Sequence, residues 1–135
     1  MMQCQLRYRS FLLLFSTVAM VMLASAPNAS AQSMLGATEA SPNIYKVLAE
    51  NDTMRVILGT WQPGDRDEWH GHPPSSVFFV TDCHIRVSEA DGRIHEHAIK
   101  SGIGRARNKP VKSHSIQNIG TTECRILMTE FKLQN

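Results

Sequence analysis

The sequence predicts an all-β domain, a sandwich or a barrel, over residues 43–135. From residue 43 onward, short runs of β-forming residues recur, and no stretch has the 3.6-residue apolar period of an amphipathic helix. Turn-forming residues separate these runs at short intervals, which is typical of all-β sandwiches and barrels. We expect strands at 44–49, 53–61, 67–72, 77–81, 84–88, 93–99, 103–107, 113–117 and 123–131.

The turn signals support this division of the chain. Asp91 and Gly92 lie between the runs 84–88 and 93–99, and this dipeptide is typical of a two-residue β-hairpin. Clusters of Asn, Asp, Pro and Gly end the other runs. The remaining signals are Asn51-Asp52, Pro63-Gly64, Pro73-Pro74, Asn108 to Pro110 and Asn118 to Gly120.

The first 31 residues are predicted to be a secretory signal peptide. Arg7 and Arg9 precede an apolar run over 11–24, and small residues follow up to Ala31. A positive start, a short apolar segment and an A-x-A site have this order in secretory signals. The run is shorter than the roughly 20 residues that span a bilayer. We therefore expect cleavage after Ala31, no membrane anchor afterwards, a secreted or periplasmic protein, and a flexible lead-in over 32–42.

The charges of the predicted mature chain balance. The whole chain has 14 Lys and Arg against 12 Asp and Glu, and Arg7 and Arg9 belong to the predicted signal peptide. Proteins that bind nucleic acid or an anionic membrane surface carry a basic excess. We therefore expect neither partner, and a small molecule is the expected ligand.

Two closely spaced histidines are the first candidate site. If residues 66–72 are extended, alternate residues share a face, so His70 and His72 project side by side. Two imidazoles at this spacing can hold one metal ion, but a third ligand is needed. Arg66 and Glu68 fall on the same face. Glu68 is a candidate acid/base or further ligand, and Arg66 a candidate for binding a substrate carboxylate. Alternatively, the histidines are polar surface and Glu68 pairs with Arg66 at the rim.

The surroundings of these histidines resemble the two sequence motifs of the cupin family. The first family motif begins G-x5-H-x-H, and the second contains G-x5-P and then H-x3-N. The matching residues are Gly64, His70, His72, Gly104, Pro110, His114 and Asn118. The resemblance covers about residues 43–132. It implies a single jelly-roll barrel, a divalent metal ion held by His70, His72 and His114, and a homodimer.

The chain departs from the family motifs in ways that affect the metal. The glutamate of the first motif should fall at Ser76 or Val77, and the glycine that closes the motif is replaced by Cys83. The second motif is one residue short between Pro110 and His114. Three neutral imidazoles leave the charge of a divalent ion unneutralised, which favours Zn²⁺, Fe²⁺, Cu²⁺ or Ni²⁺. The excess charge would also attract an anionic ligand.

The resemblance also bears on two cysteines. In a cupin jelly roll, the strand after the first motif lies antiparallel to the last strand, so Cys83 and Cys124 should be close. Export implies an oxidising compartment, where such a pair forms a disulfide. The alternative is two small buried residues. His95 and His97 form a second pair in phase, which is either a further metal clip or a solvated strand face. His84 has no assigned partner.

Three functions remain open at this point. The first is a metal-dependent enzyme, of the dioxygenase, isomerase or lyase type that three-histidine cupins resemble, acting on a small substrate. The second is a non-catalytic module that binds a metal or a small molecule. The third is a barrel without a metal, in which the histidines have no ligand.

Overall fold

A computed structural model describes residues 35–132 of the chain. The predicted signal peptide (1–31) and the first residues of the predicted lead-in lie outside the described residues. Among residues 35–132, no helix is long and apolar enough to cross a membrane.

The described residues are almost entirely β-structure, so the predicted fold class is confirmed. One short helix, α1, spans Ala37–Ala40. The nine strands are β1 (Tyr45–Glu50), β2 (Met54–Trp61), β3 (His70–His72), β4 (Ser75–Phe79), β5 (Cys83–Glu89), β6 (Ile94–Ile99), β7 (Gly104–Arg107), β8 (Val111–Asn118) and β9 (Cys124–Phe131).

The strands form two antiparallel sheets. The five-stranded sheet has the order β1-β2-β9-β4-β7, and the four-stranded sheet has the order β3-β8-β5-β6. Strands from the two ends of the chain lie side by side, since β9 pairs with both β2 and β4. This order of strands in the two sheets gives the jelly roll.

The core fills the space between the sheets because the strands alternate between buried and exposed residues. In β9 every second residue from Cys124 to Glu130 is buried, as expected for a strand with one face on the core. Among the most completely buried residues, Trp61 and Ile57 are the largest apolar side chains, at 1% and 0% exposure. Other buried apolar residues include Ile44, Tyr45, Phe79, Ile85, Ile99, Ile126 and Met128.

A disulfide joins the two sheets. Cys83 at the start of β5 is bonded to Cys124 at the start of β9, and the two Cα atoms lie 4.8 Å apart. The sulfurs are buried between the layers. The bond therefore ties the four-stranded sheet to the five-stranded sheet rather than linking neighbours within one sheet.

The segment expected to be a flexible lead-in is part of the fold over residues 35–42. Ala37 and Ser41 are buried, and the Ser41 hydroxyl accepts a hydrogen bond of 2.8 Å from the Glu68 backbone N–H. Gly36 forms a bridge with Gly71 in β3. Small side chains let this segment approach β3 closely. The expectation of flexibility was based on composition, which carries no information about such contacts.

Candidate metal centre

Strands β3 and β8 bring three histidines into the interior. His70 and His114 are directly paired across the antiparallel strands. In β3, His70 and His72 are buried while the residue between them is half-buried, so both imidazoles point to the core side. His70 and His114 are 44 residues apart in the sequence, and the pairing of β3 with β8 brings the motif histidines into one site.

The three imidazoles converge through their Nε2 atoms. Nε2 of His70 lies 3.0 Å from Nε2 of His72 and 3.1 Å from Nε2 of His114. One ligand atom from each residue lies within 4.8 Å of the other two. His70 is 0% exposed, and the other two are each 7% exposed.

Hydrogen bonds at the opposite ring nitrogens determine which nitrogen carries the proton. Nδ1–H of His70 donates to the backbone carbonyl of Glu68 at 2.7 Å, and Nδ1–H of His72 donates to Oε1 of Glu130 at 2.7 Å. A carbonyl and a carboxylate oxygen can only accept, so Nδ1 is the donor in each ring. Each neutral ring therefore presents an Nε2 lone pair to the centre of the cluster.

Burial keeps His70 and His114 uncharged at neutral pH. Desolvation lowers the pKa of His70 to about 4 and the pKa of His114 to about 3. The positive charge of a protonated neighbouring imidazole lowers both pKa values further, because like charges repel. Neutral imidazole is the form that binds a metal ion.

The donor set fits a divalent transition-metal ion. Two nitrogens bound to one Zn²⁺ at about 2.0–2.1 Å lie about 2.8–3.4 Å apart for right-angle to tetrahedral geometry. The Nε2 separations of 3.0 Å and 3.1 Å around His70 fall in this range. Lone pairs at that separation repel one another unless a cation or a proton lies between them. The cluster can therefore hold a metal ion through His70, His72 and His114.

A buried carboxylate that sequence reasoning missed supports the cluster from the last strand. Glu130 in β9 is 2% exposed; besides His72, it contacts Nη2 of Arg55 through Oε2 at 3.1 Å. A carboxylate on the outer nitrogen of a histidine ligand orients the ring and raises its basicity. The alternating pattern of β9 carried the signal, since Glu130 is in phase with the apolar residues Ile126 and Met128.

Sequence reasoning also missed a buried tyrosine and aspartate beside the cluster. The Tyr45 hydroxyl donates to Oδ2 of Asp67 at 2.8 Å and lies 3.2 Å from Nε2 of His70. Asp67 also accepts a hydrogen bond from the backbone N–H of Ile116 in β8. Burial raises the pKa of Asp67 to about 6 and raises the pKa of Tyr45 well above its usual value. These contacts connect the entry to β3 with β1 and β8.

Glu68 and Arg66 lie away from the histidine cluster. Strand β3 begins only at His70, and in the segment before it Asp67 is buried whereas Glu68 is exposed. The expected uniform alternation over 66–72 is therefore interrupted, and only the backbone carbonyl of Glu68 contacts His70. The role of Glu68 as an acid/base stays a prediction.

Arg66 is engaged with hydroxyl groups of the four-stranded sheet. Its Nε donates to Oγ of Ser115 at 2.9 Å, and its Nη2 donates to Oγ of Ser88 at 3.3 Å. The predicted role of Arg66 in binding a substrate stays a prediction, and its side chain does not line the cavity beside the cluster.

A cavity of about 160 Å³ lies between the sheets, and His72 and His114 form part of its wall. Strand β4 contributes Ser75 and Val77, so the position expected for the motif glutamate places no carboxylate there. His95 and His97 line the cavity as well, and their rings stack at 6.3 Å, whereas His84 is exposed. Apolar wall residues include Trp61, Phe79, Ile85, Val87, Ile99, Ile116, Ile126 and Met128.

The two sheets, their order and the buried cluster define a small cupin-fold domain with a three-histidine site. The chain is similar to a cupin domain from Bordetella pertussis, with a TM-score of 0.61, 23% identity, and coverage of 67% of this chain and 93% of that chain. It is also similar to a conserved protein of unknown function from Streptococcus pyogenes, with a TM-score of 0.50, 11% identity, and coverage of 68% and 75%. At these identities the likeness shows the fold alone.

A third similar structure is a cupin superfamily protein from Desulfitobacterium hafniense, with a TM-score of 0.47, 11% identity, and coverage of 65% of this chain and 75% of that chain. No protein-family model matches the sequence, and no curated protein matches it.

Proposed function

We propose that this protein is an exported cupin barrel that binds one divalent transition-metal ion and uses the adjoining cavity to act on a small molecule. His70, His72 and His114 would hold the ion. The observation that carries the proposal is the convergence of buried Nε2 atoms, 3.0 Å and 3.1 Å apart. The outer ring nitrogens of His70 and His72 donate elsewhere, which leaves their Nε2 lone pairs free for an ion.

A bound Zn²⁺, Fe²⁺, Cu²⁺ or Ni²⁺ ion would supply Lewis acidity, and iron or copper would add redox chemistry. The protein's own contribution is positional. Glu130 holds His72 in one orientation, and the Glu68 carbonyl does the same for His70. The apolar walls of the cavity reduce access of water to a ligand beside His72 and His114.

The cavity beside the cluster favours an enzyme of dioxygenase, isomerase or lyase type over a closed structural site, because structural metal sites leave no room for a ligand. A non-catalytic binding module is the second candidate. It is supported by the cavity lining: among the described residues, Glu89 is the one carboxylate in the cavity wall. Glu89 already pairs with Arg93 at 3.4 Å, so this carboxylate is not free to act as an acid or a base.

Replacing His114 by Ala tests the metal site. Untagged wild-type protein is incubated with each of the four ions and desalted, and its metal content is measured by mass spectrometry. The wild type should retain about one ion per chain, and His114→Ala should retain less than about 0.1 ion per chain. His84→Ala is the matched control, since His84 is exposed and should leave binding unchanged. Undiminished binding by His114→Ala would show that the ligand set is wrong. Failure of the wild type to bind any ion would favour the barrel without a metal.

Export is proposed from the first 31 residues, and its measurement is separate. Expression of the whole chain in a bacterial host should release protein whose mass corresponds to a chain beginning at Gln32. Recovery of the uncut chain from the cytoplasm would contradict the proposal.

A further inference from the structure

The exposed part of the cavity lining consists of basic residues and histidines. Of the residues that line the cavity, four are exposed, and all others are buried or half-buried. The four are His95, His97, Arg105 and Arg107. The histidines belong to β6 and the arginines to β7, the edge strands of the two sheets. We refer to these four residues as the basic rim.

Strand register turns both arginines of the rim toward the cavity. Arg105 is paired with Val77 and Arg107 with Ser75 across β7 and β4, and both partners line the cavity. The guanidinium carbon of Arg105 lies 5.9 Å from the ring centroid of Phe79, which is a wall residue. A guanidinium at this distance from an aromatic ring is held by cation–π attraction.

Among the described residues, no carboxylate forms an ion pair with either of these two arginines. Within residues 35–132, four other arginines form ion pairs with carboxylates, and Arg66 bonds to hydroxyls. Arg105 and Arg107 have no such partner. The carboxylate of Glu89, which also lines the cavity, is shared by Arg93 at 3.4 Å and His95 at 4.0 Å.

We propose that the cavity binds a small carboxylate with an apolar body. The carboxylate would lie against Arg105 and Arg107, because a guanidinium accepts a carboxylate through two parallel hydrogen bonds. The apolar body would fill the space between the walls, and its far end would lie toward His72 and His114. That the end of the ligand near His72 and His114 is the one that reacts rests on the proposed function. Binding of the carboxylate at the basic rim does not require the metal.

The test compares hexanoate and benzoate with their neutral amides by isothermal titration calorimetry. Metal-free protein, prepared with a chelator, and Zn²⁺-loaded protein are titrated separately, so a failed metal site and a failed rim give different results. We expect each carboxylate to bind more tightly than its amide in the metal-free protein. The double variant Arg105→Gln/Arg107→Gln should weaken carboxylate binding by about tenfold or more and leave amide binding unchanged.

The matched control is Arg125→Gln, which removes a half-buried arginine of β9 that is 3.7 Å from Glu123 and outside the cavity. Thermal unfolding of each variant establishes that it is folded. Equal affinity for carboxylate and amide, no binding of either carboxylate at millimolar concentration, or an equal loss in Arg125→Gln would each overturn the proposal. None of these results would bear on metal binding by the histidines.

Discussion

Glu130 is the carboxylate that reaches the histidine cluster, and it comes from the last strand rather than from the first histidine motif. It accepts the Nδ1–H of His72 at 2.7 Å and pairs with Arg55 at 3.1 Å. The negative charge expected at Ser76 or Val77 is thus absent from the inner side of the site, and a charge on its outer side orients one ligand. Such an arrangement adjusts ligand basicity without occupying a metal position.

Replacement of Glu130 by Gln should weaken Zn²⁺ binding by about 10–100-fold. The amide has nearly the same shape, but it removes the charge that favours Nδ1–H of His72 as the donor. Competition with a chromophoric chelator measures the affinity. The control is Glu123→Gln, which should have no effect, since that half-buried carboxylate contacts Arg125 and Gln62 rather than the histidines. An unchanged affinity in Glu130→Gln would contradict a role in orienting His72.

At the scale of elements, β3 is the strand whose limits matter most to the site. It has only three residues, and the segment before it is tied to β8 by the bond from the Asp67 N–H to the Ile116 carbonyl at 3.0 Å. The run predicted at 67–72 therefore starts as an irregular connection, in which Asp67 turns inward and Glu68 outward. Alternate residues share a face only within a regular strand, so the direction of the Glu68 side chain could not be inferred from that of His70.

Removal of the bond between β5 and β9 by Cys83→Ala/Cys124→Ala should lower the free energy of unfolding by about 2–4 kcal/mol. The cysteines are 41 residues apart, and a closed loop of that length constrains the unfolded chain by about 4 kcal/mol in the chain-entropy estimate. Urea unfolding of the two proteins without reductant measures the difference.

The same experiment with reductant serves as the control, since it should bring the wild type close to the variant. A thiol assay on denatured, unreduced mature protein should find no free thiol. Two free thiols, or identical unfolding midpoints, would contradict the predicted contribution of the disulfide.

At the scale of the whole molecule, the outer face of the five-stranded sheet carries a row of apolar side chains. Leu127 in β9 is paired with Leu58 on one side and Phe78 on the other. Leu127 and Phe78 are 37% and 46% exposed. Four residues further along the strands, Met54 pairs with Phe131, and both are also exposed. Exposed apolar surface of this kind is typical of an interaction site.

We expect this face to form the homodimer that the cupin resemblance implies, so Leu127→Lys should shift the protein from dimer to monomer. A buried, unpaired lysine in the centre of an apolar interface is unfavourable. Light scattering coupled to size-exclusion chromatography measures the mass. Ile94→Lys is the control, because Ile94 is exposed on β6 of the other sheet. A wild-type monomer, or an unaltered dimer in Leu127→Lys, would contradict the prediction.

The strands were predictable because their signal is local. Runs of β-forming residues between turn residues require no knowledge of distant neighbours, and the predicted limits differ from those observed by a few residues, apart from the late start of β3. The three histidines were recognisable because their spacing to Gly64, Pro110 and Asn118 resembles the motifs of the cupin family. The lead-in over 35–42 was not, since its contacts with Glu68 and Gly71 depend on packing.

The sequence by itself determined the class of fold, and its resemblance to the cupin motifs pointed to His70, His72 and His114, the cluster that could hold a metal ion. Tertiary structure alone decided which charges accompany them. It brings Glu130 to His72 across 58 residues and places Arg105 and Arg107 on the cavity side of an edge strand. The physical reason is that strand alternation is encoded residue by residue, whereas the neighbours across a sheet or between two sheets are set by the order in which distant strands pair.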